Sequence, residues 1–222
     1  MKESEVMQII VAVIVLGIVS VASEMVSLNN EKIILSSLDI RSISLIVGFS
    51  AIVIFANIFG KKMMASRLDA DVEHEIWNMQ RYGFSVSSKL EKEIPAGVIF
   101  PLFISVISLG TVNMMTCLTY ETKALKRRAA KRFGPFSFTE MTDYHNALVG
   151  AMGIIATLFV AFVCYFIPEA SVLGRMATFY AFWNMIPFSK LDGTQIYFGS
   201  KVLWAMLAVI TLIFTMYALL LV

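Results

Sequence analysis

The sequence predicts an all-α, polytopic integral membrane protein, and composition, hydropathy and the length of its apolar runs support this class. Of the 222 residues, 58% are hydrophobic and 15% are charged, whereas soluble domains are nearer 45–50% apolar and about 25% charged. The mean hydropathy is +0.77. A soluble enzyme is therefore excluded, and a disordered chain is excluded because disorder requires low hydrophobicity.

Successive apolar runs predict about five or six membrane segments. Runs with few charges lie at 7–27, 42–60, 96–120, 147–167, 171–189 and 202–222. The first two and the last have roughly the 20 residues that a helix needs to cross a bilayer. We expect a single membrane domain over 1–222, with a first span and loop at 1–41, a core at 42–205 and the rest of the last span at 206–222.

Helix-breaking residues interrupt two of these runs. Pro101 and Gly110 lie inside 96–120, which favours a kinked or re-entrant element whose freed backbone groups are covered by protein. The run 171–189 is short and contains Pro187, so it predicts a broken helix.

Two segments are much more polar than the rest, at 61–95 and 121–146. The first contains a predicted helix at about 63–82, because apolar residues recur there at three- and four-residue spacing. The second contains a basic run that we expect to contact anionic headgroups on the cytoplasmic face. Its members are Lys123, Lys126, Arg127, Arg128, Lys131 and Arg132.

The cations impose a condition on the topology. The positive-inside rule places both the cluster at 61–67 and the run at 123–132 on the cytoplasmic side. This requires either that the helix at 63–82 also crosses the membrane or that 96–120 forms a hairpin. Both solutions put irregular or charged structure at membrane depth, where function tends to reside.

The sharpest functional signal is a polar interruption that reads Asn184-Met-Ile-Pro187-Phe-Ser-Lys-Leu191-Asp192-Gly193. Pro187 frees backbone groups that Asn184 can satisfy, and Gly193 permits a turn after Asp192. One carboxylate is thereby presented at or near membrane depth. Asp192 is either a cap of the next helix or a metal ligand or proton relay, because an ionisable group in a membrane segment is costly to keep.

The pattern N-x-x-P-x-x-x-L-D-G resembles the second active-site motif of the site-2 protease family, which are intramembrane zinc metalloproteases. The matching residues are Asn184, Pro187, Leu191, Asp192 and Gly193. The resemblance implies that Asp192 corresponds to a zinc ligand. It also implies that an upstream HExxH helix supplies two His ligands and a Glu general base. The order of segments over 45–205 is similar to that of the family.

The upstream half of the motif departs from the family, and two registers are open. The tripeptide at 81–83 resembles the end of the family's helix, and counting back from it puts Asp71, Val72 and Glu75 at the His, Glu and His positions. With Asp192 this gives three carboxylates, a set that suits magnesium, calcium or manganese better than zinc. Val72 leaves this register without a general base.

The second register starts from one of the two histidines. His74 and Glu75 then take the first two positions, and Asn78 replaces the second His. A catalytic zinc usually has three protein ligands, so His74, Asn78 and Asp192 form a weak set. His145, just before the following apolar run, is an alternative ligand.

These observations lead to three hypotheses. The first is a site-2-protease-like pseudoprotease that binds membrane-embedded or extended polypeptide segments. The second is a divergent, active intramembrane metallopeptidase with one divalent metal at Asp71, Glu75 and Asp192, and the third is a small proton-coupled carrier. We expect membrane lipid as a partner and the plasma membrane as the location. A net charge of +2 does not favour nucleic acid.

Overall fold

The computed structural model describes residues 3–30, 40–81, 89–125 and 141–220. The helices in these ranges are α1 (Glu3–Asn30), α2 (Ile40–Arg67), α3 (Ala96–Ile107), α4 (Asp143–Cys164), α5 (Ser171–Met185), α6 (Asp192–Gly199) and α7 (Lys201–Leu220). The strands are β1 (Ala70–Ile76), β2 (Met79–Arg81), β3 (Lys89–Ile94) and β4 (Leu118–Ala124). A short 3-10 turn at Pro168–Ala170 joins α4 to α5.

Four of the described helices are long and apolar enough to cross a membrane, which supports the predicted class of protein. They are α1 over Glu3–Glu24, α2, α4 and α7. The other two expected segments are shorter, since α3 has 12 residues and α5 has 15. A helix needs roughly 20 residues to span a bilayer. Both short helices instead pack against the long ones.

The chain is mostly helical, which supports the predicted class, but it also contains strands that an all-α fold would not have. Within the described residues, β1 pairs with β4 in antiparallel fashion, with Ala70 opposite Ala124 and Ile76 opposite Leu118. A second antiparallel pair joins β2 to β3. The β1–β4 ribbon packs against the end of α2 and against α1.

The helix predicted at 63–82 is also wrong beyond its first turn. The helix α2 ends at Arg67, and Asp69 takes a left-handed conformation with φ of 52°. From there the burial alternates with a period of two, because Val72 and His74 are buried while the residues between them are more exposed. The apolar spacing that predicted a helix thus coexists with a strand pattern, and pairing with β4 selects the strand.

The segment 96–120 forms a hairpin, which is one of the two expected solutions. After α3 the chain turns at 108–112, returns without regular structure, and enters β4. Backbone hydrogen bonds hold the two ends of this segment together at Trp77. Trp77 N–H donates to the Cys117 carbonyl at 2.9 Å, and Gly97 N–H donates to the Trp77 carbonyl at 2.8 Å. Both ends of the segment therefore lie at the same end of the molecule. The two basic clusters can share one side of a membrane without a further crossing.

Small residues let α2 approach α4 closely at this same end. A Cβ at Gly60 would lie 2.4 Å from the carbonyl oxygen of Met152, and a Cβ at Gly153 would lie 2.8 Å from Cε of Lys61. Helices in lipid associate through such close van der Waals packing, because lipid tails are as apolar as the side chains they replace. Any larger residue at these positions would push the two helices apart beside Lys61.

Candidate functional site

A buried ion pair lies where α2, α4 and α6 meet. The Nζ atom of Lys61 is 2.7 Å from Oδ2 of Asp192, and the two side chains are 1% and 0% exposed. An unpaired charge in such surroundings would cost several kcal/mol or shift to its neutral form. The pair therefore satisfies two charges that could not be buried separately. We call Lys61, Asp192 and their immediate neighbours the buried centre.

Lys61 is held in place by small and aromatic neighbours. Its stem passes over Gly153, and its ammonium lies 4.5 Å from the ring centroid of Tyr120 on β4. This is within the range of a cation–π interaction. The Tyr120 hydroxyl is itself fixed, because it donates to the Asn146 carbonyl at 2.8 Å.

Asp192 is positioned by the predicted break in the chain. The helix α5 ends at Met185, before Pro187, which confirms the broken helix. Asn184 Nδ2 donates to the Tyr180 carbonyl at 2.8 Å. Gly193 is required for packing, because a Cβ there would lie 2.1 Å from the Met185 carbonyl oxygen.

The reading of Asp192 as a helix cap is wrong. Asp192 is the first residue of α6, and Leu191 occupies the N-cap position without a side-chain hydrogen bond. The carboxylate of Asp192 instead points to Lys61. The sequence motif therefore presents its carboxylate to another helix rather than to its own.

A second cluster of polar side chains lies around the buried His74 on β1. Its Nδ1 atom is 3.1 Å from Oε1 of Glu5 on α1, and the same oxygen is 3.1 Å from Nζ of Lys62. Burial, reinforced by the positive charge of Lys61, lowers the pKa of His74 to about 3. The imidazole is therefore neutral at neutral pH, and Nδ1–H donates to the Glu5 carboxylate. This bond ties the first helix to β1.

The structure separates the three carboxylates that were expected to share a metal. Asp71 is exposed on β1, where Oδ1 accepts from the Val72 N–H at 2.9 Å. Glu75 lines an open cleft, and Asp192 is paired with Lys61. Within 3–30, 40–81, 89–125 and 141–220, no three His, Cys, Asp or Glu side chains lie close enough to hold a metal ion.

The alternative ligands are also apart. His74 contacts Glu5, whereas the ring of His145 contacts the side chain of Thr142, the N-cap of α4. Asn78 is exposed in the turn between β1 and β2. Both upstream registers therefore fail to bring a ligand set to Asp192.

The expected headgroup contacts fall largely outside the described residues. Lys123 is exposed and pairs with Glu73 at 2.6 Å. The remaining members, Lys126, Arg127, Arg128, Lys131 and Arg132, lie outside the ranges that the structure describes. Their contact with lipid stays a prediction.

Sequence reasoning missed Lys61, which contacts Asp192, and the buried amide of Asn57 one turn before it. Asn57 and Lys61 are four residues apart on α2, which places them on one helical face. Asn57 is buried and its Nδ2 donates to Thr157 Oγ1 at 3.4 Å. The signal was an amide and an ammonium in an otherwise apolar run, which in a membrane helix points to function.

An open polar cleft, which we call the β4 cleft, borders the buried centre. It has a volume of about 300 Å³, and its lining includes Glu75, Glu93, Thr119, Glu121, Lys190 and Gln195. Tyr120 lines it as well, so this residue separates the β4 cleft from Lys61.

Gln195 and Asn146 organise one wall of the β4 cleft. Gln195 Nε2 donates to the Tyr120 carbonyl at 3.0 Å, and its Oε1 accepts from Asn146 Nδ2 at 2.7 Å. Thr122 Oγ1 donates to Asn146 Oδ1 at 3.0 Å. Within the described residues, β4 has β1 as its strand partner on one edge, and the Tyr120 carbonyl on β4 contacts Gln195 of this wall.

Family models, curated proteins and solved structures give no match to this chain. The chemistry of the site therefore follows from its own groups. One ammonium and one carboxylate neutralise each other in a closed centre, while carboxylates and amides stay accessible in the neighbouring cleft.

Proposed function

We propose that this chain is a degenerate site-2-protease-like protein that binds membrane-embedded or extended polypeptide segments without hydrolysing them. The observation that carries the proposal is the contact of Lys61 with Asp192, the acidic residue of the N-x-x-P-x-x-x-L-D-G motif. A lysine there supplies the positive charge that a metal ion would supply in an enzyme of this family.

The geometry supports a third register for the upstream half of the motif. The two His residues of HExxH are four apart on one helix, and Asn57 and Lys61 have the same spacing on α2. The pentapeptide Asn57-Ile58-Phe59-Gly60-Lys61 would then replace HExxH. Asn57 and Lys61 stand in for the two His residues, and Ile58 stands in for the Glu.

The residues of this register do not fit a catalytic zinc. An ammonium cannot donate a lone pair to a metal, and an amide is a weak zinc ligand. Ile58 is apolar and cannot deprotonate a water molecule. The family's hydrolytic step therefore has neither its metal ligands nor its general base on α2.

The geometry of β4 and its cleft supports polypeptide binding, which in this family precedes hydrolysis. The Tyr120 carbonyl already accepts from Gln195, so an extended polypeptide can add to the outer edge of β4 beyond Tyr120 through main-chain hydrogen bonds. The cleft beside this edge is polar and open. Gln195 and Asn146 already hold one wall of it. A segment leaving a membrane helix could reach this edge because β4 continues directly from the hairpin at 96–120.

We further propose that the end carrying the β4 cleft faces the cytoplasm at the plasma membrane. This end of the molecule carries four basic residues, which are Lys61, Lys62, Arg67 and Lys123. An excess of Lys and Arg near the ends of spans marks the cytoplasmic side. Labelling of single cysteines at Lys123 and Glu169 from either side of sealed vesicles tests this orientation.

The binding function can be tested with single-span reporter proteins that carry an extended segment next to the span. We would place a photoreactive amino acid at Asn78, which lines the β4 cleft, and at exposed Glu169 as a control. After co-reconstitution, we expect crosslinks to the reporter from position 78, weaker crosslinks from position 169, and an intact reporter. Cleavage of the reporter that is abolished by Asp192→Ala would overturn the proposal.

A further inference from the structure

Among the described residues, the lining of the β4 cleft carries more negative than positive charge. Glu75, Glu93 and Glu121 line it, and Lys190 is the one cation among its described lining residues. Glu93 and Glu121 are exposed and Glu75 is half-buried. Within the described ranges none of these three glutamates forms a direct ion pair. The ammonium of Lys123 pairs with neighbouring Glu73 and lies near enough to Glu121 and Glu75 to interact with their charges.

A separate apolar cavity lies beside this cleft. It has a volume of about 270 Å³, and its lining includes Trp77, Phe100 and Phe188. The two spaces adjoin along the chain, because Ile76 and Lys190 line the β4 cleft while Trp77 and Leu191 line the cavity.

The cavity has the size of a side-chain pocket, and contacts hold its aromatic lining in place. Trp77 stacks on Phe100 at 5.5 Å between ring centroids and meets Phe188 edge-on at 5.8 Å. Trp77 Nε1 donates to Ser189 Oγ at 3.1 Å, which fixes the indole. A cavity of about 150 Å³ accommodates benzene, so this one can take a large aliphatic or aromatic side chain.

We infer that the β4 cleft and the apolar cavity together select a basic polypeptide segment that also carries one large apolar side chain. This inference rests on the proposed function and names the chemistry of its client. Lys or Arg side chains of the client lie against Glu75, Glu93 and Glu121, and the apolar side chain enters the cavity beside Trp77.

Charge complementarity favours this client over an acidic one. Each exposed pair of opposite charges strengthens binding by a factor of about two to five at low salt. Like charges at the same positions weaken it, and they also slow the encounter. The preference should therefore fall as the ionic strength rises, because exposed charges are screened beyond about 10 Å at 0.1 M salt.

The test uses synthetic ten-residue peptides and the full chain in detergent micelles. Three fluorescent peptides share one sequence with a central Trp and differ in carrying Lys, Gln or Glu at three alternate positions. A fourth peptide has Lys at those positions and Ala in place of the Trp. Affinities are measured by fluorescence anisotropy at low and at high salt.

We expect the Lys peptide to bind at least about tenfold more tightly than the Glu peptide at low salt, and the Ala peptide to bind more weakly than its Trp counterpart. Glu75→Gln with Glu121→Gln should remove most of the charge preference. Glu169→Gln is the matched control, because it removes an exposed carboxylate beyond the far end of α4, away from the cleft, and it should keep the preference.

The remaining outcomes separate the inference from the proposed function. Equal affinity for the Lys, Gln and Glu peptides would overturn the inference and leave polypeptide binding intact. Absence of binding by every peptide would overturn the proposed binding function itself. Binding that appears only after the Lys and Arg residues at 126–132 are replaced by Gln would identify this chain's own basic run as the occupant and overturn the inference.

Discussion

The buried centre and the β4 cleft both carry ionisable groups, but these groups are paired and buried in the first and accessible to solvent in the second. In the buried centre, Lys61 and Asp192 are closed off from solvent and neutralise each other. Among the described lining residues of the β4 cleft, three glutamates outnumber one lysine and remain accessible. Tyr120 lies between the two regions and contacts both.

The difference shows that desolvation determines which charged side chains can remain unpaired in the folded protein. A charge in the buried centre must be paired within the chain, because leaving it alone costs several kcal/mol. A charge in the cleft stays hydrated, so it can exchange water for a ligand at low cost. We therefore assign a stabilising role to the buried ion pair and a ligand-binding role to the cleft.

The largest expected effect is at Lys61. Lys61→Met removes one partner of the pair and leaves the Asp192 carboxyl buried without its counter-ion. We expect a loss of about 3–5 kcal/mol in the free energy of unfolding, measured by denaturant titration in a fixed detergent. The double variant Lys61→Met with Asp192→Leu replaces both charges by apolar groups and should recover much of this loss.

The double variant also tests whether the pair is the cause. If it were as unstable as Lys61→Met alone, the loss would come from packing around α2 rather than from an uncompensated charge. The ion pair would then not explain the closed centre.

The next effect is a pH dependence that involves His74. Its pKa in the folded protein is about 3, because it is buried and lies near Lys61, and it is about 6.5 in an unfolded chain. Between these values the unfolded chain binds more protons, so stability falls as the pH is lowered from about 6.5 towards 3. The slope approaches about 1.4 kcal/mol per pH unit within this window.

His74→Gln provides the comparison for this slope. We expect the variant to lose less stability than the parent protein between pH 7 and pH 4.5, whatever its stability at pH 7. Thermal unfolding followed by tryptophan fluorescence measures both proteins. Parallel pH profiles would show that His74 is not buried as a neutral group.

A smaller effect is expected at Gln195 in the wall of the cleft. Gln195→Ala removes the hydrogen bonds to the Tyr120 carbonyl and to Asn146. The groups left behind lie beside an open cleft and can bind water, so we expect a loss of about 1 kcal/mol in the free energy of unfolding. A loss comparable to that of Lys61→Met would show that the wall is a closed part of the core.

The smallest effect is expected at Lys123. Its ammonium forms a short ion pair with Glu73 at 2.6 Å, as short as the pair at Lys61, but it is exposed. Exposed pairs contribute little because water and salt screen them. The unfolding midpoint of Lys123→Ala should therefore match that of the parent protein, and a large decrease would contradict the distinction between buried and exposed pairs.

The residues near Asp192 could be predicted from the sequence because the signal there is local. Pro187 ends a helix by its own chemistry, and Asp192-Gly193 follows within a few residues. The break after Met185 was predicted for this reason, and so was the turn in 96–120, where Gly110 has φ of 82°. Each depends on backbone restrictions that act wherever the residue stands.

Long-range pairing could not be predicted in this way. The strand β1 was predicted as a helix because its apolar residues fit both periods, and only β4, more than forty residues later, decides between them. Lys61 was missed because its partner is 131 positions further along the chain, as the numbers 61 and 192 show. A basic residue at the end of a span also has an ordinary explanation in the headgroup region.

The most direct test of the central claim is the metal content of two purified proteins, the parent chain and the variant Asn57→His, Ile58→Glu, Lys61→His. If Lys61 takes the place of a metal, the parent chain holds no stoichiometric metal. The variant, which restores HExxH opposite Asp192, binds about one zinc ion per chain and loses it when Asp192→Ala is added. A parent chain that holds one metal ion and loses it on Asp192→Ala alone would contradict the account.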